Sequence, residues 1–194
     1  MRSTQRPSRR SKAAPGSSIR SLLASCNATS RLNGEVVRAS ANKSSRSGSG
    51  TFFEAWWRAA TPLLNRKAGF RVEDIGRSVE GRPLRHIRWG KGRTTVLLWS
   101  QMHGDESTGT MALADLFTFL GQHPQHPLVQ RLRANTTLHV LPLLNPDGAA
   151  RFQRRNAQGI DINRDARMLA TPEGRTLKAL HDRVRPAFGF NLHD

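Results

Sequence analysis

The sequence has no tyrosine and a single cysteine, Cys26, in 194 residues. One thiol cannot close an internal disulfide, and it excludes a site built from several thiolates, so any metal here needs histidine and carboxylate ligands. No window approaches the ~18–20 consecutive apolar residues of a membrane span. Acids are scarce, 14 against 31 Lys and Arg, which leaves a formal charge of +17. Apolar residues make up 37% of the chain, fewer than the ~45–50% of an ordinary globular domain.

These shortages are unevenly spread. Residues 1–50 hold ten Lys or Arg, one acid and thirteen Ser, and so carry about half of the net charge. Such a segment buries too little apolar surface to offset the entropy of ordering, and it reads as a disordered, basic Arg/Ser-rich tail. A charge of this size ordinarily points to nucleic acid or an anionic membrane. Because half of it belongs to the tail, no firm nucleic-acid or membrane partner follows, and nothing in the sequence sets an oligomeric state. With one cysteine and no apolar region of signal-peptide length, the expected compartment is the cytoplasm.

Residues 51–194 read as one domain. Phe52, Phe53, Trp56, Trp57, Leu63 and Leu64 recur at spacings of a helical face, which Pro62 interrupts. Residues 71–78 and 83–89 flank a Glu80-Gly81 turn and form a hairpin. Residues 94–100 hold an unbroken apolar run typical of a strand buried on both faces. A helix over 107–120 follows, with Ser107 as its cap, then a short helix around 128–132 and a strand over 136–144 stopped by Asn145-Pro146-Asp147-Gly148. A helix over 172–184 and a strand over 188–193 complete the pattern. Strands alternating with helices predict an α/β fold with a mixed, largely parallel sheet and flanking helices.

His103 and Glu106 fall in a loop at the carboxyl end of a strand, where open α/β sheets collect their ligands. Their spacing suits zinc, which accepts imidazole nitrogen and carboxylate oxygen and leaves a position for water. His193, at another strand end, is the candidate third ligand; as a lone residue it reads more readily as a half-buried histidine bonded to backbone. Between them, Arg154, Arg155, Asn156, Gly159, Asp161, Asn163, Arg164 and Asp165 crowd into one segment. Forked cations there suit a carboxylate and a developing oxyanion, although in a chain this rich in Arg a basic surface loop is an even rival. Asp161 has the chemistry to accept the second N–H of a ligating imidazole.

The ordered set resembles the carboxypeptidase A-like zinc metallocarboxypeptidases. It comprises Ile75 to Pro83, His103-Gly104-Asp105-Glu106, Asn145 to Gly148, Gly159 to Arg164, and Leu192-His193-Asp194. The resemblance implies that this is the N-terminal portion of the family domain, with Zn2+ held by His103, Glu106 and His193. It further implies that Arg154 polarises the scissile carbonyl, with Arg155 as the alternative, that Asn163 and Arg164 grip the substrate carboxylate, and that Asp161 supports the first zinc histidine. The implied substrate is a peptide, or an acyl amino acid, with a free carboxylate. Asp165 stands where many members carry Asn, which leaves its effect on substrate preference open. The family's general-base glutamate and its closing tyrosine lie beyond Asp194, so the resemblance implies a truncated member whose zinc binding outlasts its turnover. Two rival readings are an aspartoacylase- or desuccinylase-like amide hydrolase, and a non-catalytic zinc-binding fragment.

Overall fold

Phe53, Trp56, Trp57 and Ala60 share one face of α1 (Phe52–Ala60) and are all buried. The helix stops two residues before Pro62, whose ring disfavours a helical conformation at the residue ahead of it. Trp56 is fully buried, and its Nε1 donates to the Thr110 carbonyl at 3.2 Å, so the ring is sealed in without an orphaned polar atom. The computed structural model describes residues 52–193 together with the backbone of two short strands, β1 (Thr29–Leu32) and β2 (Glu35–Arg38), which pair antiparallel. Apart from those two strands, the segment expected to be disordered lies outside the described residues.

Five strands form the main sheet: β3 (Phe70–Arg77), β4 (Pro83–Gly90), β5 (Thr94–Ser100), β6 (Thr136–Leu141) and β7 (Phe188–Leu192), in the order β3-β4-β6-β5-β7. The β3–β4 and β4–β6 pairings are antiparallel; β5 is parallel to both β6 and β7. The sheet is therefore mixed, as expected, with two parallel and two antiparallel pairings, and β5 and β7 of its parallel part lead into the loops that carry His103 and His193.

Alternate residues of the strands feed two cores. Ile87, Trp89, Leu138 and Val140 pack beneath α1 and α2 (Thr108–Gln122), and Val129 of α3 (Pro127–Asn135) joins the same cluster. On the opposite face Leu84, Leu97 and Leu141 meet Leu180 of α5 (Pro172–Val184) and Ile162. Burial of each Leu-sized side chain contributes roughly 1.5–3 kcal/mol, and with a core on both faces the strands need apolar residues on both sides.

Three local expectations are corrected. Ser107 occupies the cap position of α2 but has helical φ and ψ, and its side chain makes no capping bond. The strand expected over 136–144 ends at Leu141, because Leu143 turns the chain with φ 54°. Pro146–Arg151 is a short helix, α4, and not a simple turn; Asn145 Oδ1 caps it by accepting from the Gly148 N–H at 2.9 Å.

Candidate metal centre

Past Ser100 the chain leaves the sheet through Gln101, whose φ of 52° is sparsely populated by residues other than glycine. The turn is held by Gln101 Nε2 donating to the Gly104 carbonyl at 2.9 Å and by the Asn145 N–H donating to Gln101 O at 3.0 Å. Gly104 lies against α4 so closely that a Cβ there would come within 2.0 Å of the Gly148 carbonyl carbon. The histidine loop and the Asn145–Gly148 segment therefore touch backbone to backbone, which only glycine permits. Asn145 Nδ2 also bridges Met102 O and Arg154 O, at 3.3 and 3.1 Å, joining the histidine loop to the arginine loop.

Asp147 ties the leader into the same assembly. This fully buried carboxylate accepts from Ser78 Oγ and Arg82 Nη1, each at 2.7 Å, and from the Glu80 N–H at 3.0 Å. The β3–β4 turn, α4 and the histidine loop are thus one hydrogen-bonded block.

Upon that block the three candidate ligands converge. His103 Nδ1 is 2.9 Å from Glu106 Oε1, and His193 Nδ1 is 3.2 Å from Glu106 Oε2. One ligand atom from each residue lies within 4.8 Å of the others. Ligands of a tetrahedral zinc stand about 3.3 Å apart, so two imidazole nitrogens and a carboxylate at these separations fit that ion. His103 is fully buried, while the Glu106 and His193 side chains keep 18% and 28% of their surface, so the cluster opens on one side.

Asp161 faces the other nitrogen of the His103 ring. Its Oδ1 lies 3.0 Å from His103 Nε2, placed to accept a proton there and leave the Nδ1 lone pair facing Glu106. Burial pushes the Asp161 carboxyl up, but hydrogen bonds from His103, the Asn163 N–H and Arg154 outweigh it, and its pKa is lowered on balance. Asp161 is the ionised partner that this tautomer requires.

Of the two adjacent arginines, Arg154 is the one at the cluster. Its Nε and Nη2 donate to Asp161 Oδ2 at 3.2 and 3.1 Å, and its Nη1 is 3.3 Å from Glu106 Oε1. Arg155 turns away to donate to the Gly159 carbonyl at 2.8 Å. Asn163 Nδ2 stands 3.5 Å from His193 Nε2, beside the cluster. Arg164 is not drawn in: its nearest polar contact is a long 3.4 Å approach to Asn163 O, and it faces outward.

Asp165, whose role the sequence leaves open, is structural in its contacts. It is buried and accepts from the Ala170 and Thr171 N–H groups and from Thr171 Oγ1, at 2.8, 2.9 and 2.6 Å, so it staples the loop. Two further residues carry the loop: Asn156, which the sequence placed in the arginine segment with no role of its own, and Glu173, which it did not single out. Asn156 Oδ1 accepts from the Gln158 and Ile160 N–H groups, and its Nδ2 donates to the fully buried Glu173 at 3.1 Å. Thr171-Pro172-Glu173 reads as an ordinary helix start, where an acid is expected to face solvent, and nothing local signals its burial.

Comparison with known proteins agrees with this geometry. The family model for zinc carboxypeptidases matches residues 62–184, a span that includes His103, Glu106, Arg154 and Asp161 but not His193. Carboxypeptidase SOL1 of Arabidopsis thaliana is 34% identical over 102 residues, covering 49% of this chain and 21% of its own length. The human carboxypeptidase N catalytic chain is 33% identical over 116 residues, covering 49% and 25%. A metallo-carboxypeptidase structure from Burkholderia cenocepacia superposes with a TM-score of 0.60 at 25% identity, over 72% of this chain and 39% of that one. This chain spans about a quarter or less of the length of these two curated relatives. With a family match over more than half of its residues and the same fold, the chain belongs to the zinc carboxypeptidase family.

Proposed function

We propose that the chain acts as a zinc-dependent metallocarboxypeptidase, with His103, Glu106 and His193 as the metal ligands and a peptide bearing a free C-terminal carboxylate as substrate. The observation that carries this reading is the convergence of those three side chains at the carboxyl ends of two adjacent parallel strands. When bound, zinc lowers the pKa of a coordinated water toward ~7 and polarises a carbonyl as a Lewis acid.

The chain's own residues do the rest. Asp161 holds His103 in the ligating tautomer, and the exposed Arg154 guanidinium stabilises negative charge developing on the scissile oxygen. Asn163 and the outward-facing Arg164 receive the substrate carboxylate, for which a guanidinium fork is suited to bidentate pairing. Glu106 and Asp161 are each committed to a histidine, so neither takes the proton of an attacking water. Metal binding and turnover are accordingly measured apart. The lone Cys26 supports a cytoplasmic compartment, to be checked by fractionation of the source cells.

Competition with a chromophoric chelator should give one zinc per chain, lost in His103→Ala and in Glu106→Ala. Hydrolysis of a peptide with a free C-terminus should exceed that of its amide and should disappear in Glu106→Ala. Activity that Glu106→Ala leaves intact would sink the metal assignment. Faster cleavage of small N-acyl amino acids than of peptides would move the reading to an acylase.

A further inference from the structure

A second cluster of titratable groups lies away from the metal centre, on the sheet face covered by α5 and toward the amino-terminal ends of β5 and β6. It surrounds an open cavity of about 400 Å³ whose walls include Thr95, Thr137 and the side chains discussed next. Glu73 of β3 is the carboxylate there, and it is already taken. Arg183 Nη2 of α5 donates to its Oε1 at 2.6 Å, and His86 Nδ1 of β4 lies 2.7 Å from the same oxygen.

That carboxylate sets the proton positions of the next two rings. His86 donates from Nδ1 to Glu73 and so presents a bare Nε2, which lies 2.9 Å from His139 Nδ1. The proton of this second bond therefore sits on His139, and His139 Nε2 is left as a lone pair. The ring planes are within 3° of parallel with centroids 5.0 Å apart. Nitrogens 2.9 Å apart are closer than two stacked ring planes, so the imidazoles meet edge to edge, in line with the bond. Burial pushes the His139 pKa down to about 4, and His86, Arg88 and Arg183 push it the same way.

The surroundings decide what this lone pair can accept. Arg88 of β4 is exposed at the cavity, and its side chain makes no hydrogen bond or ion pair among the described residues. With Arg183 it gives two permanent cations against one carboxylate, an environment that repels a metal ion. An anion reverses the balance: it pairs with the free guanidinium and stabilises a proton added to the imidazole. We propose that this cavity binds a small tetrahedral oxyanion of the phosphate or sulfate class, gripped by Arg88 and by His139, which takes one proton from solvent on Nε2 as the anion enters. This site is independent of the zinc reading.

Sulfate is the suitable probe, because it does not titrate near neutrality and any proton taken up belongs to the protein. Calorimetric titration of the full chain at about pH 6, in two buffers of different ionisation enthalpy, should give saturable 1:1 binding with net proton uptake. Arg88→Gln, a change at an exposed position, should weaken binding about tenfold. His139→Gln should abolish the uptake, while Arg164→Gln, an exposed change in the arginine loop, should alter neither. Absence of saturable binding, binding untouched by Arg88→Gln, or uptake that persists in His139→Gln would each overturn the proposal.

Discussion

Asp161 does more at the metal centre than its place outside the ligand set suggests. One oxygen contacts His103 Nε2, and the other anchors Arg154, so a single carboxylate positions both a candidate ligand and the neighbouring cation. Asp161→Asn still accepts one hydrogen bond but loses the charge that favours the ligating tautomer of His103. We expect zinc affinity to fall about 10–100-fold in chelator competition, the range found when such supporting carboxylates are removed. An unchanged affinity would mean that His103 needs no such support. The adjacent arginines separate just as sharply. Arg154→Gln should lower kcat/KM for an unblocked peptide about 10²–10³-fold, whereas Arg155→Gln, whose guanidinium serves its own loop, should not. Equal losses in both variants would argue against the position of Arg154.

At the scale of elements, the arginine loop keeps its shape through buried polar anchors. Asn156 closes residues 156–160 on themselves, and Glu173 and Asp165 fasten the two halves of the loop to the start of α5. Asn156→Ala strands two backbone donors and leaves Glu173 without its side-chain partner. A loss of about 1–3 kcal/mol is expected for each buried group so abandoned, read as a lower urea midpoint. A midpoint equal to wild type would mean the loop is held elsewhere. The sequence made the strands and the ligand-bearing loops legible, because apolar runs such as Val96-Leu97-Leu98 and turn chemistry such as Asn145-Pro146-Asp147-Gly148 speak locally. It hid the anchors. Glu173 and Asp165 look like solvent-facing acids until residues far along the chain close over them, and Ser107 looks like a cap until its own backbone turns helical. Strand β7 adds a different expectation. Phe188 and Phe190 are 57% and 50% exposed on a strand that has one described neighbour, β5. An exposed apolar edge favours strand-to-strand association, so Phe190→Lys should slow the growth of light scattering in concentrated solution. Unaltered scattering would exclude this edge as the route.

Across the whole molecule, the His86–His139 pair ties stability to pH. His86 and His139 are both held below the ordinary imidazole value, first by burial, and His139 reaches about 4. The unfolded chain therefore binds more protons than the folded one between about pH 6.5 and 4, and stability falls as pH drops through that window. Glu73, lowered by its hydrogen bond from His86, acts in the same direction at lower pH. Glu173 opposes them: burial raises its pKa, so it costs stability as pH rises through its folded value. The thermal midpoint should decline from about pH 7 to pH 4.5, less steeply in His139→Gln. Identical slopes in the two proteins would remove His139 as a cause.

The strand order also dictates a timetable for assembly. Strands β3 and β4 are neighbours in sequence as well as in space, whereas the β5–β7 pairing joins Val96 to Phe188 across most of the domain. Closing so long a loop is slow, so β7 docks late in folding, and His193 travels with it. Until then His103 and Glu106 offer only two ligands to any ion. A metal present throughout refolding should therefore leave the early phases unaltered and act on the last one, capturing His193 and slowing its escape. The mixed sheet thus makes the third ligand a latch, closed only after the rest of the domain is in place.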